Sequence, residues 1–368
     1  MTNEEASAEG AGKAFQFTGN WREFAPIAFT NLLLCIVTLG IYLFWARTRE
    51  RHYLWSHTRF IDDRLEWTGT GLELLIGYIF AVVFFGGPLF IVQFVPQALA
   101  LHGHPGAALL CGVGLYLLLM YLAGVAIFRA LRYRLSRTFW HGIRGGSDDA
   151  GFKFGLRYLG RTLLGMIALG LLVPWSMTEN WNDRWNRMSF GPMQFGSTAR
   201  MGAIFMRYLL FYLAPIVMVI VAVIAAVTGA FVIPQFGGAS TPQPSITAAL
   251  IIGLFVVYIG FFVILGMIAL AFYAAFFREA IGKLTLGDLE FEFTASTWEW
   301  FKLGLGNVAL VWGTLGIGYL FLGYRNWAFF IRHMNAYGHI ALEDLTQSMT
   351  REPSQGEGLL DAFDIGAF

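Results

Sequence analysis

Asn31, Arg161 and Asn307 are polar residues in three otherwise apolar segments, Arg161 standing 130 residues and Asn307 276 residues after Asn31. A polar side chain inside an apolar helix needs a partner, and two chemistries supply one. The three can converge on a central polar cavity that holds an anion or another small ligand. They can instead bind the free carbonyls of a broken helix and hold a helical hairpin together. A Leu-Gly pair follows each of them, and Thr38, Gly40, Gly170, Thr314 and Gly316 carry the same two readings. Glycine there weakens the helix, giving either a structural break or a stretch of backbone that lines a ligand.

A second group has different chemistry. The segment from Trp45 to Arg64 interleaves Trp45, Tyr53, Trp55 and Phe60 with Arg47, Arg49, Arg51 and Arg59. Aromatic rings favour the headgroup level of a bilayer and guanidinium groups pair with anionic phosphates, so the segment reads as an interfacial helix in contact with anionic phospholipid. The same arginines can serve only to fix orientation. Nucleic acid is not an expected partner of a basic segment this close to a membrane. His102-Gly103-His104 offers two histidines without a third His, Cys or carboxylate in its loop, which is too few for a metal. Cys35 and Cys111 lie in apolar runs and give no disulfide framework. There is no His-Glu-x-x-His, Gly-x-Ser-x-Gly, CxxC or phosphate-cradling loop. The expectation is a protein that is not an enzyme and uses no cofactor and no metal.

The elements that position these residues follow from charge. The chain has 25 Lys and Arg and 24 Asp and Glu in 368 residues, and none lies between Leu74 and Phe128 or between Tyr208 and Phe277. Each stretch is long enough to cross a ~30 Å hydrocarbon core twice, at ~20 helical residues per crossing. Each has a polar, Pro/Gly-containing break, Pro96 to Gly106 and Pro234 to Ser245, as a helical hairpin requires at its tip. With 57% hydrophobic and only 13% charged residues, the chain is read as an integral membrane protein. Neither tip holds Lys or Arg, whereas arginines crowd residues 47 to 64 and 129 to 144. The positive-inside rule then makes the basic segments and both termini cytoplasmic. Met1 to Ala14 is polar and acidic and does not read as a signal peptide.

Phe15 to Ile41 aligns without a gap to Phe291 to Ile317, with ten identities that include Glu23/Glu299, Asn31/Asn307 and the run Thr38-Leu39-Gly40-Ile41. A weaker copy between them matches Phe154 to Phe24, Leu169-Gly170 to Leu39-Gly40 and Trp175 to Trp45. Five triplets alternate apolar and polar residues with period two: Phe15-Gln16-Phe17, Leu65-Glu66-Trp67, Phe152-Lys153-Phe154, Met193-Gln194-Phe195 and Phe291-Glu292-Phe293. They read as short strands in one shared sheet outside the hydrocarbon. If the three repeated apolar runs spanned the bilayer, these strands would be divided between two compartments. If each run enters and leaves on one side, all five strands share the cytoplasm.

The expected fold is a polytopic α-helical membrane protein with two transmembrane helical hairpins, three repeated re-entrant or interfacial hairpin units and a small cytoplasmic β element. Its expected divisions are a disordered N-terminus (1–14), unit 1 (15–73), transmembrane hairpin 1 (74–128), unit 2 (129–207), transmembrane hairpin 2 (208–277), unit 3 (278–340) and a polar C-terminal tail (341–368). Asn31, Thr38-Leu39-Gly40-Ile41-Tyr42, Phe44-Trp45-Ala46-Arg47, Tyr53, Gly69-Thr70 and Gly142-Ile143-Arg144 resemble the YjgN-like family of bacterial inner-membrane proteins, whose function is uncharacterised. The resemblance implies a multi-pass inner-membrane location and, as a partner, a membrane metallopeptidase or another envelope protein. Units 2 and 3 depart from the motif, with Leu171-Leu172 and Ile317-Gly318 in place of Ile41-Tyr42. The expected function is a non-enzymatic protein that binds phospholipid or partner proteins as scaffold, adaptor or lipid organiser. The alternative is a transporter or channel for a small or amphipathic solute, with its path between the repeats.

Overall fold

The computed structural model describes residues 13–236, 243–338, 340 and 346–351. Its strands are β1 (Phe15–Phe17), β2 (Thr58–Phe60), β3 (Asp63–Arg64), β4 (Glu66–Trp67), β5 (Thr138–Trp140), β6 (Ile143–Gly146), β7 (Ser189–Phe190), β8 (Met193–Ser197), β9 (Leu284–Leu286), β10 (Leu289–Phe293) and β11 (Met334–Tyr337). All pair antiparallel with their neighbours in the chain, β1 to β3 in one sheet and β4 to β11 in another. Leu65 alone separates β3 from β4, and its N–H donates to Thr58 O at 2.9 Å. At the other end β11 comes back towards β1, where Ala14 N–H donates to Asn335 Oδ1 at 3.1 Å. The meander thus curls into a large half-barrel, well beyond the small β element expected.

Apart from Leu65 between β3 and β4, successive strands are linked in two ways. Two-residue turns (Ile61-Asp62, His141-Gly142, Gly191-Pro192 and Gly287-Asp288) close one end of the sheet. Positive φ at Ile61, His141, Gly142, Gly191 and Gly287 gives these turns the left-handed backbone that matches strand twist. The other five links are helical hairpins: α1 (Trp21–Val37) with α2 (Leu43–Ser56), α3 (Gly71–Leu101) with α4 (Pro105–Ser136), α5 (Phe152–Ile167) with α6 (Val173–Trp185), α7 (Gly202–Phe236) with α8 (Gln243–Gly282), and α9 (Thr297–Gly313) with α10 (Leu322–His333). The strands flanking each hairpin pair directly, as Phe17↔Thr58, Trp67↔Thr138, Gly145↔Phe190, Ser197↔Leu284 and Phe293↔Met334. Both ends of every hairpin therefore return to the same end of the sheet.

Among the described residues, four helices are long and apolar enough to cross a membrane: Gly71–Leu101, Pro105–Ser136, Gly202–Val221 within α7, and Val257–Gly282 within α8. In the first of these a π turn spans Val82–Gly86. Pro88 follows it, and the missing proline N–H and its ring displace the ordinary ladder just ahead. Pro96 does not end the helix, which continues to Leu101; the turn is His102 to His104. Pro234 also lies within a helix, and residues 237–242 of the second expected tip fall outside the described residues. So do residues 1–12 and most of 341–368.

The inward faces of the strands make the core. In β10, Leu289, Phe291 and Phe293 are buried while Glu290 and Glu292 face outward. They join Phe15, Phe60, Trp140, Phe190 and Phe195, and the helices cover them with Phe128, Phe154, Trp181 and Phe330. Phe152-Lys153-Phe154, expected as a strand, is instead the first turn of α5. Three residues cannot distinguish period two from the helical period. Gly151 (φ +83°) turns the chain into the helix there, and Phe154 packs on Phe128 with ring centroids 5.3 Å apart. The strand in that region is β6, buried at every residue and hence without alternation.

Candidate membrane-contacting site

Three hairpins, α1–α2, α5–α6 and α9–α10, end in the same turn. Leu39, Leu169 and Leu315 each have φ +52°, and Gly40, Gly170 and Gly316 follow at φ +91°, +80° and +94°. Gly40 N–H donates to Cys35 O at 2.7 Å and Gly316 N–H to Val311 O at 2.8 Å, closing Schellman-type caps. The left-handed cap position usually belongs to glycine or asparagine. Here leucine fills it three times, and its side chain is 94%, 83% and 96% exposed. Val37, Ile41, Ile167, Trp312 and Ile317 around the tips are exposed as well.

The predicted polar residues lock these hairpins. Thr38 Oγ1 donates to Leu34 O (2.7 Å) and accepts from Tyr42 N–H (2.9 Å). Thr314 Oγ1 does the same with Leu310 O and Gly318 N–H, both at 2.6 Å. Unit 2 has Ala168 at the equivalent place. Its turn is instead held by α7, where Tyr208 OH donates to Gly170 O (2.9 Å) and Tyr212 OH to Leu169 O (2.6 Å).

Below each tip a polar clamp joins the two helices. Asn31, 2% exposed, donates to Ala46 O (3.1 Å) and accepts from Arg49 Nη1 (3.2 Å). Asn307 accepts from Arg325 Nε (2.9 Å) and donates to Asn326 Oδ1 (2.9 Å). Arg49 and Arg325 stand at the same repeat offset as the asparagines. Unit 2 reverses the polarity: Arg161 on the first helix donates to Glu179 O (3.3 Å) and Asp183 Oδ2 (3.0 Å) on the second. Asp183 also pairs with Arg157 (3.1 Å) and Arg187 (2.9 Å), and Arg187 pairs with Asp149. Each of these contacts of Asn31, Arg161 and Asn307 stays within its own unit. The shared offset of Arg49 and Arg325 was the available sequence signal for the clamp; nothing in the sequence singled out Tyr208, Tyr212 or Asp183.

The basic-aromatic segment divides. Arg51, Tyr53 and Trp55 are buried, out of reach of a headgroup. Arg51 lies over the Trp67 ring at 5.0 Å, Tyr53 bonds the backbone of Asn20, and Trp55 stacks on Trp327 at 4.2 Å. Trp45 and Arg47 are half-buried, and Arg49 and Arg59 are exposed. Period alone could not separate the faces of this helix, because core aromatics and headgroup aromatics are the same residue types.

Unit 3 carries a pH-dependent joint at its base. Ser296 caps α9 by accepting from Glu299 N–H (3.3 Å), and Glu299 Oε2 accepts in return from Ser296 N–H (2.7 Å). The Ser296 backbone N–H first, then its hydroxyl and His333, hold the Glu299 carboxyl down to about 2, from an ordinary value of 4.5. A depressed carboxylate contributes stability that is present above 4.5 and lost as pH falls towards 2. The melting-temperature advantage of wild type over Glu299→Gln should therefore shrink between pH 6 and pH 3.

Four membrane-length apolar helices set on one end of a sheet define a membrane protein. The chain belongs to the family described as "Bacterial protein of unknown function (DUF898)", which matches residues 12–362. It is 28% identical over 146 residues to the inner membrane protein YjgN of Salmonella typhimurium, covering 40% of this chain and 34% of the relative. It is 29% identical over 131 residues to YjgN of Escherichia coli K12, covering 36% and 30%. The aligned part is thus about a third of the length of these curated relatives. Their names support an inner-membrane location. No solved structure matches the chain.

Proposed function

We propose that this is a non-enzymatic inner-membrane protein that organises lipid in one leaflet, using three shallow hairpins set around two spanning ones. The observation that carries the reading is the leucine at each tip. A bulky residue in left-handed backbone costs about 1–2 kcal/mol, and none of these leucines offsets that with burial inside the protein. Strained, exposed and apolar, the three tips gain favourable surroundings only in an acyl layer.

Tyr208 and Tyr212 supply a depth scale. They touch the unit 2 tip about 9 and 15 Å along α7 from its start, at 1.5 Å per residue. Arg207 immediately precedes this contact and the charge-free stretch begins at Tyr208. The tip then lies just inside the boundary of the hydrocarbon, well short of the far leaflet of a ~30 Å core. The return of all five hairpins to one end of the sheet supports a half-barrel in a single compartment, and the arginine distribution favours the cytoplasm. Anionic phospholipid is the proposed partner, met by the exposed side of Arg49, whose Nη1 also holds Asn31.

The test places an environment-sensitive fluorophore on cysteine at position 39, 169 or 315, after replacing Cys35 and Cys111, in phosphatidylcholine nanodiscs. Brominated acyl chains should quench all three and leave a label at Gln16 bright, while aqueous iodide should do the reverse. Tips quenched by iodide alone would refute the shallow-hairpin reading.

A further inference from the structure

Arg184 is 4% exposed, and its Nε has no hydrogen-bond partner among the described residues. It lies over the Trp181 ring at 5.2 Å, and the groups acting on it electrostatically are another cation, Arg134, and the Tyr158 phenol. Burial and Arg134 push its guanidinium down to about 10, so it stays charged at neutral pH. A buried cation without an anion is costly unless something else supplies the counter-charge.

Arg184 lines a cavity of about 390 Å³ between α5–α6 and the spanning helices α4 and α8, within the size range of small-molecule sites. The cavity is graded. Met166 and Val173 line it beside the hairpin turn, Phe154, Met177, Phe276 and Phe277 line its walls, and Asn180 and Arg184 line it near the sheet-side end of α6. An apolar slot with one buried cation at its sheet end is complementary to a chain with an anionic head.

We propose that this cavity binds a single-chain anionic amphiphile, its carboxylate or phosphate on Arg184 and its acyl chain running past Met177 towards Met166. The bound head provides the counter-charge that Arg184 lacks among the described residues, and the chain lies parallel to the leaflet's own. The inference deepens the lipid reading above and rests on it for the orientation of the slot, with the sheet end at the headgroup side.

The test uses the full-length protein in phosphatidylcholine nanodiscs, titrated with dodecyl phosphate and followed by melting temperature. Wild type should be stabilised saturably. Arg184→Gln should need at least tenfold more dodecyl phosphate for half the effect, because bulk partitioning into the disc is unchanged by the substitution. Thr162→Phe, which fills the slot and keeps Arg184, should weaken the response similarly and covers the case in which Arg184→Gln does not fold. Dodecyltrimethylammonium and inorganic phosphate should give no saturable shift. Equal responses from wild type and a folded Arg184→Gln or Thr162→Phe overturn the proposal. So does stabilisation by inorganic phosphate alone, which would make this a simple ion site. The tip-quenching measurement is independent of Arg184, so a failed slot and a failed membrane placement give different results.

Discussion

Replacing Asp183 with alanine should lower the melting temperature of the purified protein by about 3–4 °C, the largest loss expected from a single side-chain deletion in unit 2. Asp183 is 12% exposed; it accepts hydrogen bonds from Arg161 and Arg187 and forms an ion pair with Arg157. Removing one partner of a poorly solvated ion pair leaves the remaining charge without compensation, at about 3–5 kcal/mol when fully buried. Arg157 is 40% exposed and can turn to water or headgroups, and Arg187 keeps Asp149. Arg161 is 19% exposed and keeps the Glu179 carbonyl and a 4.0 Å contact to the Glu179 carboxylate. A loss of about 2–3 kcal/mol is the discounted expectation. Glu179→Ala, which removes only that long contact, should change stability by less than about 1 kcal/mol. Equal effects from the two would show that the cluster does not act through Asp183.

The contrast explains what the sequence could and could not reveal. Repeat offsets located the Leu-Gly turns in all three units, because a helix break depends on local residues and leaves a local mark. The four membrane-length helices were legible from the charge-free stretches for a similar reason: an apolar environment acts on every residue of the segment. The half-barrel was only partly legible. Strands such as β3 and β7 are two residues long, and β6 is buried on both faces, so none of them leaves an alternating pattern, whereas β4 was legible through Leu65-Glu66-Trp67. Long-range choices left no mark at all. Ala168 replaces the threonine that caps the other two turns, and its compensation, Tyr208 and Tyr212, comes from a helix some 40 residues later.

The same logic governs where a sequence departs from its own repeat. Position 42 is tyrosine in unit 1 and its equivalent in unit 3 is Gly318, and the turn geometry accounts for the difference. After Gly316 unit 3 winds into a 3₁₀ turn, Ile317–Phe321, which folds residue 318 back against α9. A Cβ on Gly318 would sit 2.6 Å from Leu310 O and 2.8 Å from Thr314 Oγ1. The first is backbone and cannot swing aside. The second belongs to the hydroxyl that already accepts from Gly318 N–H at 2.6 Å, so the cap and the new methyl compete for one space. Gly318→Ala should therefore cost about 3 kcal/mol, at the upper end of overpacking substitutions, and should loosen the unit 3 tip. Gly313→Ala is the matched comparison. Nothing lies within 4 Å of a Cβ there, and alanine favours the helix over glycine by about 1 kcal/mol. Thermal unfolding in one detergent should move in opposite directions for the two variants. If Gly318→Ala melts with wild type, the 3₁₀ turn does not exclude a side chain, and the loss of tyrosine from unit 3 needs another cause.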